Sequence, residues 1–190
     1  MKVLRKVKMK VDYFELGDQI KINLKDMGKY TATVHQTYID GTALCIFDNC
    51  VADMPMNEEN TNEGGFNNSD LRQWMNSVLY SRFPKKIRAR MVQFPEQYDS
   101  VFLRVPTRGE MFGGSDESLE EDHEDRLPLM KDRKHRICMS PDDEYCWYWL
   151  WNKRVVNATS FAIVYTNGLA NNSGASNSNG VRPAFVIRNL

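Results

Sequence analysis

The chain has 190 residues, and its 25 lysine and arginine side chains balance 25 aspartates and glutamates to a formal net charge of zero. That balance argues against a general nucleic-acid or membrane-surface binder, which would carry excess positive charge. The length fits one domain spanning 1–190 with a sizeable core. No run approaches the ~18 apolar residues of a transmembrane helix, and four cysteines are too few for a disulfide scaffold of this size.

The N-terminus is basic but lacks a continuous apolar stretch, so it does not read as a secretion signal, and the chain is expected in the cytoplasm or on a virion. Val3, Val7, Met9 and Val11 fall on alternate positions, as in a strand with one lysine-rich face. Residues 1–56 read as a β-meander. Gly17 to Ile22 alternates, Tyr30 to Val34 is β-prone, and the tight-turn pair Asp40-Gly41 leads into Ala43 to Phe47. Residues 57–69 are polar and rich in Gly and Asn, and read as a loop. Two helices are expected over 68–92. Asn68 or Ser69 caps the first, in which Leu71, Trp74, Met75, Val78 and Leu79 share one face; the second starts at Pro84 and turns Ile87 and Met91 inward. Asp99 to Leu103 reads as a short strand.

Residues 114–136 form a charged insertion. Seven of the ten residues from Asp116 to Asp125 are acidic, and five basic residues follow between Arg126 and Arg136. The segment lacks the alternating ligands and central glycine of a calcium loop, so it reads as a solvated insertion whose halves partly neutralise each other.

Catalytic and metal signals are sparse. His35, His123 and His135 are scattered. His135 and Cys138 are close enough to share a metal, but no second pair at ligand spacing completes a zinc site, so neither metal nor cofactor is expected. Cys138 and Cys146 can meet across a turn, yet read as buried thiols. No motif pairs a Ser or Cys nucleophile with a base, so no catalytic residue is assigned.

Residues 146–190 are the most informative part. Cys146-Trp147-Tyr148-Trp149-Leu150-Trp151 carries three of the four tryptophans, of which two are expected in the core and one at the surface. Between Asn157 and Gly180 there is no charged side chain, and 19 of the 24 residues are Asn, Ser, Ala, Gly or Thr. Such a composition usually marks a disordered linker. Here Phe161, Ile163, Val164, Tyr165 and Leu169 punctuate it at strand-like spacing, and apolar segments flank it. It reads instead as an ordered binding face of small polar groups and a few aromatics. Asn157-Ala158-Thr159 and Asn171-Asn172-Ser173 match glycosylation sequons, which no secretion signal supports.

The order of landmarks resembles the C-type-lectin-fold variable proteins of diversity-generating retroelements, and a related uncharacterised family of bacteria and their phages. The landmarks are Asp70-Leu71-Arg72-Gln73-Trp74-Met75-Asn76, Phe102-Leu103, Glu110-Met111-Phe112-Gly113, Trp147-Tyr148-Trp149-Leu150 and Gly180-Val181-Arg182-Pro183-Ala184-Phe185. They span residues from about 17 to the C-terminus, with Trp151 standing where the family usually has Arg. The resemblance implies an α+β, C-type lectin-like fold with two helices on an irregular antiparallel sheet and adjacent N- and C-terminal strands. It also implies a non-enzymatic protein whose diversified surface recognises an unknown protein or glycan receptor. Retroelement diversification replaces adenines, and Asn codons begin with two of them. The expected ligand-binding residues are therefore Asn157, Ser160, Ile163, Tyr165, Asn167, Leu169, Asn171, Asn172 and Ser173, with Trp151 added as an aromatic anchor. Ala162, Val164, Gly168 and Ala170 are assigned to the scaffold, with Asn167-Gly168 as a turn. Two alternatives stay open: a fixed-specificity lectin-like binder, and an enzyme of the formylglycine-generating type, which would need a closely arranged reactive cysteine pair.

Overall fold

A computed structural model describes residues 13–95, 100–120 and 125–189. The fold is mixed α+β, mostly sheet with a few short helices. β1 (Gln19–Leu24), β2 (Gly28–Thr37) and β3 (Thr42–Phe47) form the expected meander. The chain's last described strand, β12 (Ala184–Arg188), lies beside β3, and β5 (Met91–Val92) closes the sheet in the order β1-β2-β3-β12-β5. A second five-stranded sheet has the order β10 (Ala170–Gly174), β9 (Ser160–Val164), β8 (Tyr148–Lys153), β11 (Asn179–Val181), β4 (Ala52–Met54). β4 thus leaves the meander for the other sheet. Its neighbour β11 runs parallel to β8, whereas the other strand pairs are antiparallel. β6 (Cys138–Met139) and β7 (Tyr145–Cys146) make a small separate ladder.

The first helix is capped by Ser69, whose hydroxyl accepts the Arg72 N–H, as its Ser-before-helix sequence implies. It runs as α1 (Asp70–Trp74), a π-helical turn (Met75–Leu79) and α2 (Tyr80–Arg82). Leu71, Met75 and Leu79 are buried as the spacing predicts, but Val78 is 42% exposed and Trp74 only half-buried. The π turn explains the difference. Its wider i→i+5 winding, with Tyr80 N–H donating to Met75 C=O, rotates Val78 off the buried stripe. Asn76 uses the same stretch to hold a loop: its Oδ1 accepts the Phe102 and Leu103 N–H groups at 3.1 and 2.9 Å, and its Nδ2 donates to Leu103 C=O. Residues 101–103 are consequently irregular rather than the expected strand. The second helix shrinks to one turn, α3 (Lys85–Arg88), and Met91 belongs to β5. α4 (Arg108–Phe112) is fixed by a capping box between Thr107 and Glu110, and Glu110 also takes a buried bidentate ion pair from Arg104.

Strands β3, β8, β9 and β12 are covered on both faces. Ala43, Cys45, Phe47, Trp149, Phe161, Ile163, Phe185 and Ile187 join one apolar cluster with the first helix; Leu44, Ile46, Tyr148, Leu150, Ala162, Val164, Ala184 and Val186 join a second. Two-sided burial replaces alternation with continuous apolar runs.

One expectation changes here. The charged segment is not a solvated insertion throughout: Leu127, Met130 and Arg136 are buried, and its basic half packs as two short 3₁₀ turns against the second cluster. The N-terminal strand expected near 2–11 lies outside the described residues. Among the described residues β12 pairs with β3 on one side and with β5 and Arg104 on the other. Among the described residues no helix is long and apolar enough to cross a membrane.

Candidate functional site

β10 is the edge of the second sheet, so the Asn-rich stretch does form a surface, but a narrower one than expected. Registry decides which side chains point where, because directly opposed residues on antiparallel strands share a face. Asn171 faces Ile163, which faces Trp149; one step further along, Tyr165 lies beside Trp147. The Trp147 and Tyr165 rings stack with centroids 4.5 Å apart, and Trp147 stays 40% exposed. Tyr165 N–H donates to Leu169 C=O across the turn, and Leu169 is 48% exposed. Trp147, Tyr165, Leu169 and Asn171 therefore form a contiguous rim of two stacked aromatics, an exposed leucine and an exposed amide.

The expected site residues divide around this rim. Tyr165, Asn167, Leu169 and Asn171 fall on it or on its turn, and Asn167 and Asn171 are exposed, whereas Asn172, opposite Ala162, is half-buried on the other face of the sheet. Asn167 Oδ1 accepts the Leu169 N–H, and Gly168 (φ +78°) completes the expected Asn-Gly turn with Arg133 packed against it. Ile163 and Ser173 are corrections, because both are buried. Ile163 is central in a strand covered on both faces, and the Ser173 hydroxyl accepts from the Asn177 and Asn179 amides. Conversely Ala170, assigned to the scaffold, is exposed. Asn157 and Ser160 lie apart, in a turn where Asn157 Oδ1 accepts the Thr159 and Ser160 N–H groups and Asn62 Nδ2 clamps the carbonyls of Arg154, Asn157 and Ser160. Trp151 is half-buried between the two apolar clusters, with Trp149 fully inside; the surface tryptophan is Trp147. Its place at the strand end, beyond the covered part of β8, was not marked by its neighbours in sequence.

Behind the rim lies a feature that spacing did not show. Cys138 and Cys146 face each other across the β6–β7 ladder, and Cys50 joins them from the β3–β4 connection. The Sγ separations are 3.1 Å (Cys50–Cys138), 3.5 Å (Cys50–Cys146) and 3.7 Å (Cys138–Cys146). Cys50 is brought in by backbone: its N–H donates to Met139 C=O, and Asn49 Oδ1 accepts the Met139 N–H. Cys50 and Cys138 are buried and Cys146 is half-buried. His135, near enough to Cys138 in sequence to share a metal, does not join the three sulfurs; its carbonyl accepts from Arg182.

The closing Gly-Val-Arg-Pro segment is shaped by this cluster. A Cβ on Gly180 would lie 2.6 Å from Cys50 Sγ, 2.8 Å from Trp147 C=O and 3.1 Å from Cys146 Sγ, so only glycine fits. Arg182 is fully buried and donates to the Phe47 and His135 carbonyls and to the Tyr148 hydroxyl. Burial alone pushes the Cys138 thiol up, but hydrogen bonds from Cys146 and Cys50 and the Arg182 guanidinium bring it down to about 4. Cys146 rises to about 12, chiefly through its hydrogen bond with Cys138, and burial pushes Cys50 well up. The hydrogen bonds and the Arg182 charge thus favour ionisation at Cys138, while burial and the neighbouring thiols oppose it at Cys50 and Cys146. His35, the extra residue in a β-bulge of β2, is turned into the interior and lowered to about 3 by burial, then by Arg182 and His135.

No curated protein matches the chain, and neither does any solved structure. Residues 40–189, which carry the rim, the three thiols and the Gly180–Phe185 segment, match the model of one family, and the chain belongs to that family, described as a domain of unknown function, DUF6273.

Proposed function

We propose that the chain is a ligand-binding protein that presents a sequence-tolerant rim on a rigid C-type lectin-like frame, diversified by a retroelement and directed at a protein or glycan receptor. The observation that carries this reading is the stacked Trp147–Tyr165 pair at the end of a buried sheet, flanked by Leu169 and Asn171 on an edge strand. Stacked aromatics lose little conformational entropy on contact, and neighbouring amides add adaptable hydrogen bonds. The side chains behind the rim, Trp149, Val181, Arg182 and Phe185, are fully buried, so Leu169 and Asn171 can change without repacking the core, whereas Tyr165 also packs against it. Binding to glycan and protein arrays tests the reading, comparing the parent with a Tyr165→Ser, Leu169→Ser, Asn171→Ser variant. The expected outcome is a cooperatively melting variant with a lost or altered profile; an unchanged profile overturns the rim. Diversification has its own test in the encoding DNA, which should carry a near-copy of the 3′ segment differing only at adenines, beside a reverse transcriptase gene.

A second reading, a thiol-dependent enzyme of the formylglycine-generating type, is favoured by one observation, the contact of Cys138 and Cys146. Alkylation of the accessible Cys146 separates the two. It abolishes function in an enzyme and leaves array binding intact in a display protein.

A further inference from the structure

We propose that Cys50, Cys138 and Cys146 form a zinc site that staples the β3–β4 connection to the β6–β7 ladder. Three sulfurs from three chain segments, all within 4.8 Å of one another, constitute the donor set. A circle through sulfurs spaced 3.1, 3.5 and 3.7 Å apart has a radius of about 2.0 Å, shorter than the ~2.3 Å zinc–sulfur bond. An ion bonded equally to all three therefore sits about 1.1 Å out of their plane, which makes the site pyramidal and leaves a fourth position. Tetrahedral zinc with ~2.3 Å bonds holds its sulfurs about 3.8 Å apart, a spacing that Cys138–Cys146 nearly meets already and that the Cys50–Cys138 pair reaches by opening several tenths of an ångström. Water beside the half-buried Cys146 completes the coordination.

The surroundings fit the same ion. Three thiolates and one divalent cation carry a net charge of −1, and the buried Arg182 guanidinium acts on Cys138 and Cys50 with the opposite sign. Second-layer hydrogen bonding is present too, in the Cys50–Met139 and Asn49–Met139 backbone contacts that fix two of the ligands. Gly180 leaves the cluster unobstructed where any side chain would press on Cys50 and Cys146. On binding, three S–Zn bonds form and each thiol that still carries a proton releases it to solvent. This inference does not rest on the rim being a receptor surface.

The experiment uses the full chain, purified under reducing, anaerobic conditions, stripped of metal and titrated with zinc, then separately with cobalt(II). One equivalent of zinc is expected, with a higher melting midpoint and, for cobalt, the thiolate charge-transfer and intense visible bands of a tetrahedral sulfur site. Cys146→Ser should weaken zinc binding by more than the roughly 10–100-fold that loss of an outer hydrogen-bonding partner causes. Cys45→Ser, at the buried cysteine outside the cluster, should leave it unchanged. If Cys146→Ser does not fold, the cobalt spectrum of the parent still decides the question. Absence of the cobalt bands, retention of zinc by Cys146→Ser, or a Cys50–Cys138 disulfide in protein isolated anaerobically without added reductant overturns the proposal, the last in favour of a redox pair.

Discussion

Residues 165–172 and 179–187 are near neighbours in sequence and opposite in structure. Every residue from 179 to 187 is buried, Arg182 included, whereas in 165–172 only Gly168 is. Side-chain polarity does not separate them, because the exposed stretch contains Leu169 and the buried one contains Asn179 and Arg182. What separates them is the number of backbone neighbours. β11 lies between β8 and β4, and β12 between β3 and β5, while among the described residues β10 pairs with β9 alone. Arg182 and Pro183, which link these two interior strands, are buried with them, and Arg182 satisfies its guanidinium with three acceptors. An edge strand leaves its side chains to solvent and can tolerate change.

The sharpest way to break this contrast is at Arg182. Arg182→Met strips donors from the Phe47 and His135 carbonyls and the Tyr148 hydroxyl, so a loss of about 3 kcal/mol or more is expected in urea denaturation. A loss below about 1 kcal/mol would show that the closing segment is not a frame. The helix carries the same contrast in miniature. Leu71→Ala should cost about 2–5 kcal/mol, against no more than about 0.5 kcal/mol for Val78→Ala, although helical periodicity ranks the two positions alike. Equal losses would mean that the π turn does not expose Val78.

A smaller effect should follow pH through His35, buried among the frame residues. Its folded value of about 3 lies below the ordinary 6.5, so between these limits the unfolded chain binds a proton that the folded one refuses. Stability is then full above about pH 6.5 and falls as pH drops toward 3, by at most about 1.4 kcal/mol per pH unit from this group. His35→Gln should flatten that part of the stability–pH curve, and an unaltered slope would assign the acid sensitivity to other groups. The smallest effect belongs to the rim, where Asn171→Ser should change the unfolding free energy by no more than about 0.5 kcal/mol.

Local signals were legible where one principle acts alone. Ser69 capped its helix, Asn167-Gly168 turned, and the β1–β3 meander followed its alternation. Errors arose where tertiary context adds a second condition. Ile163 was placed outward on the premise that one face of its strand is covered, but both are. Val78 was placed inward on a period of 3.6 that the π turn breaks. The thiol cluster was half-visible: Cys138 and Cys146 share a local ladder, whereas Cys50 is 88 positions from Cys138 and reaches it only through the crossing of β4 into the second sheet. Leu127, Met130 and Arg136 were hidden by the charges around them, which set the composition of their segment without setting its burial.

The position of β12 in the middle of its sheet has a kinetic consequence. The meander β1–β2–β3 is built from near neighbours and can close early, but its open edge, β3, is apolar on both faces and finds its partner only when Ala184–Arg188 inserts. Arg182 meets the Phe47 carbonyl across 135 positions of sequence, so the loop entropy of that closure is lost before its contacts repay it. Until then β3 presents an unpaired apolar strand to the solvent. Refolding should therefore be slow, and in concentrated solution it should compete with association through β3.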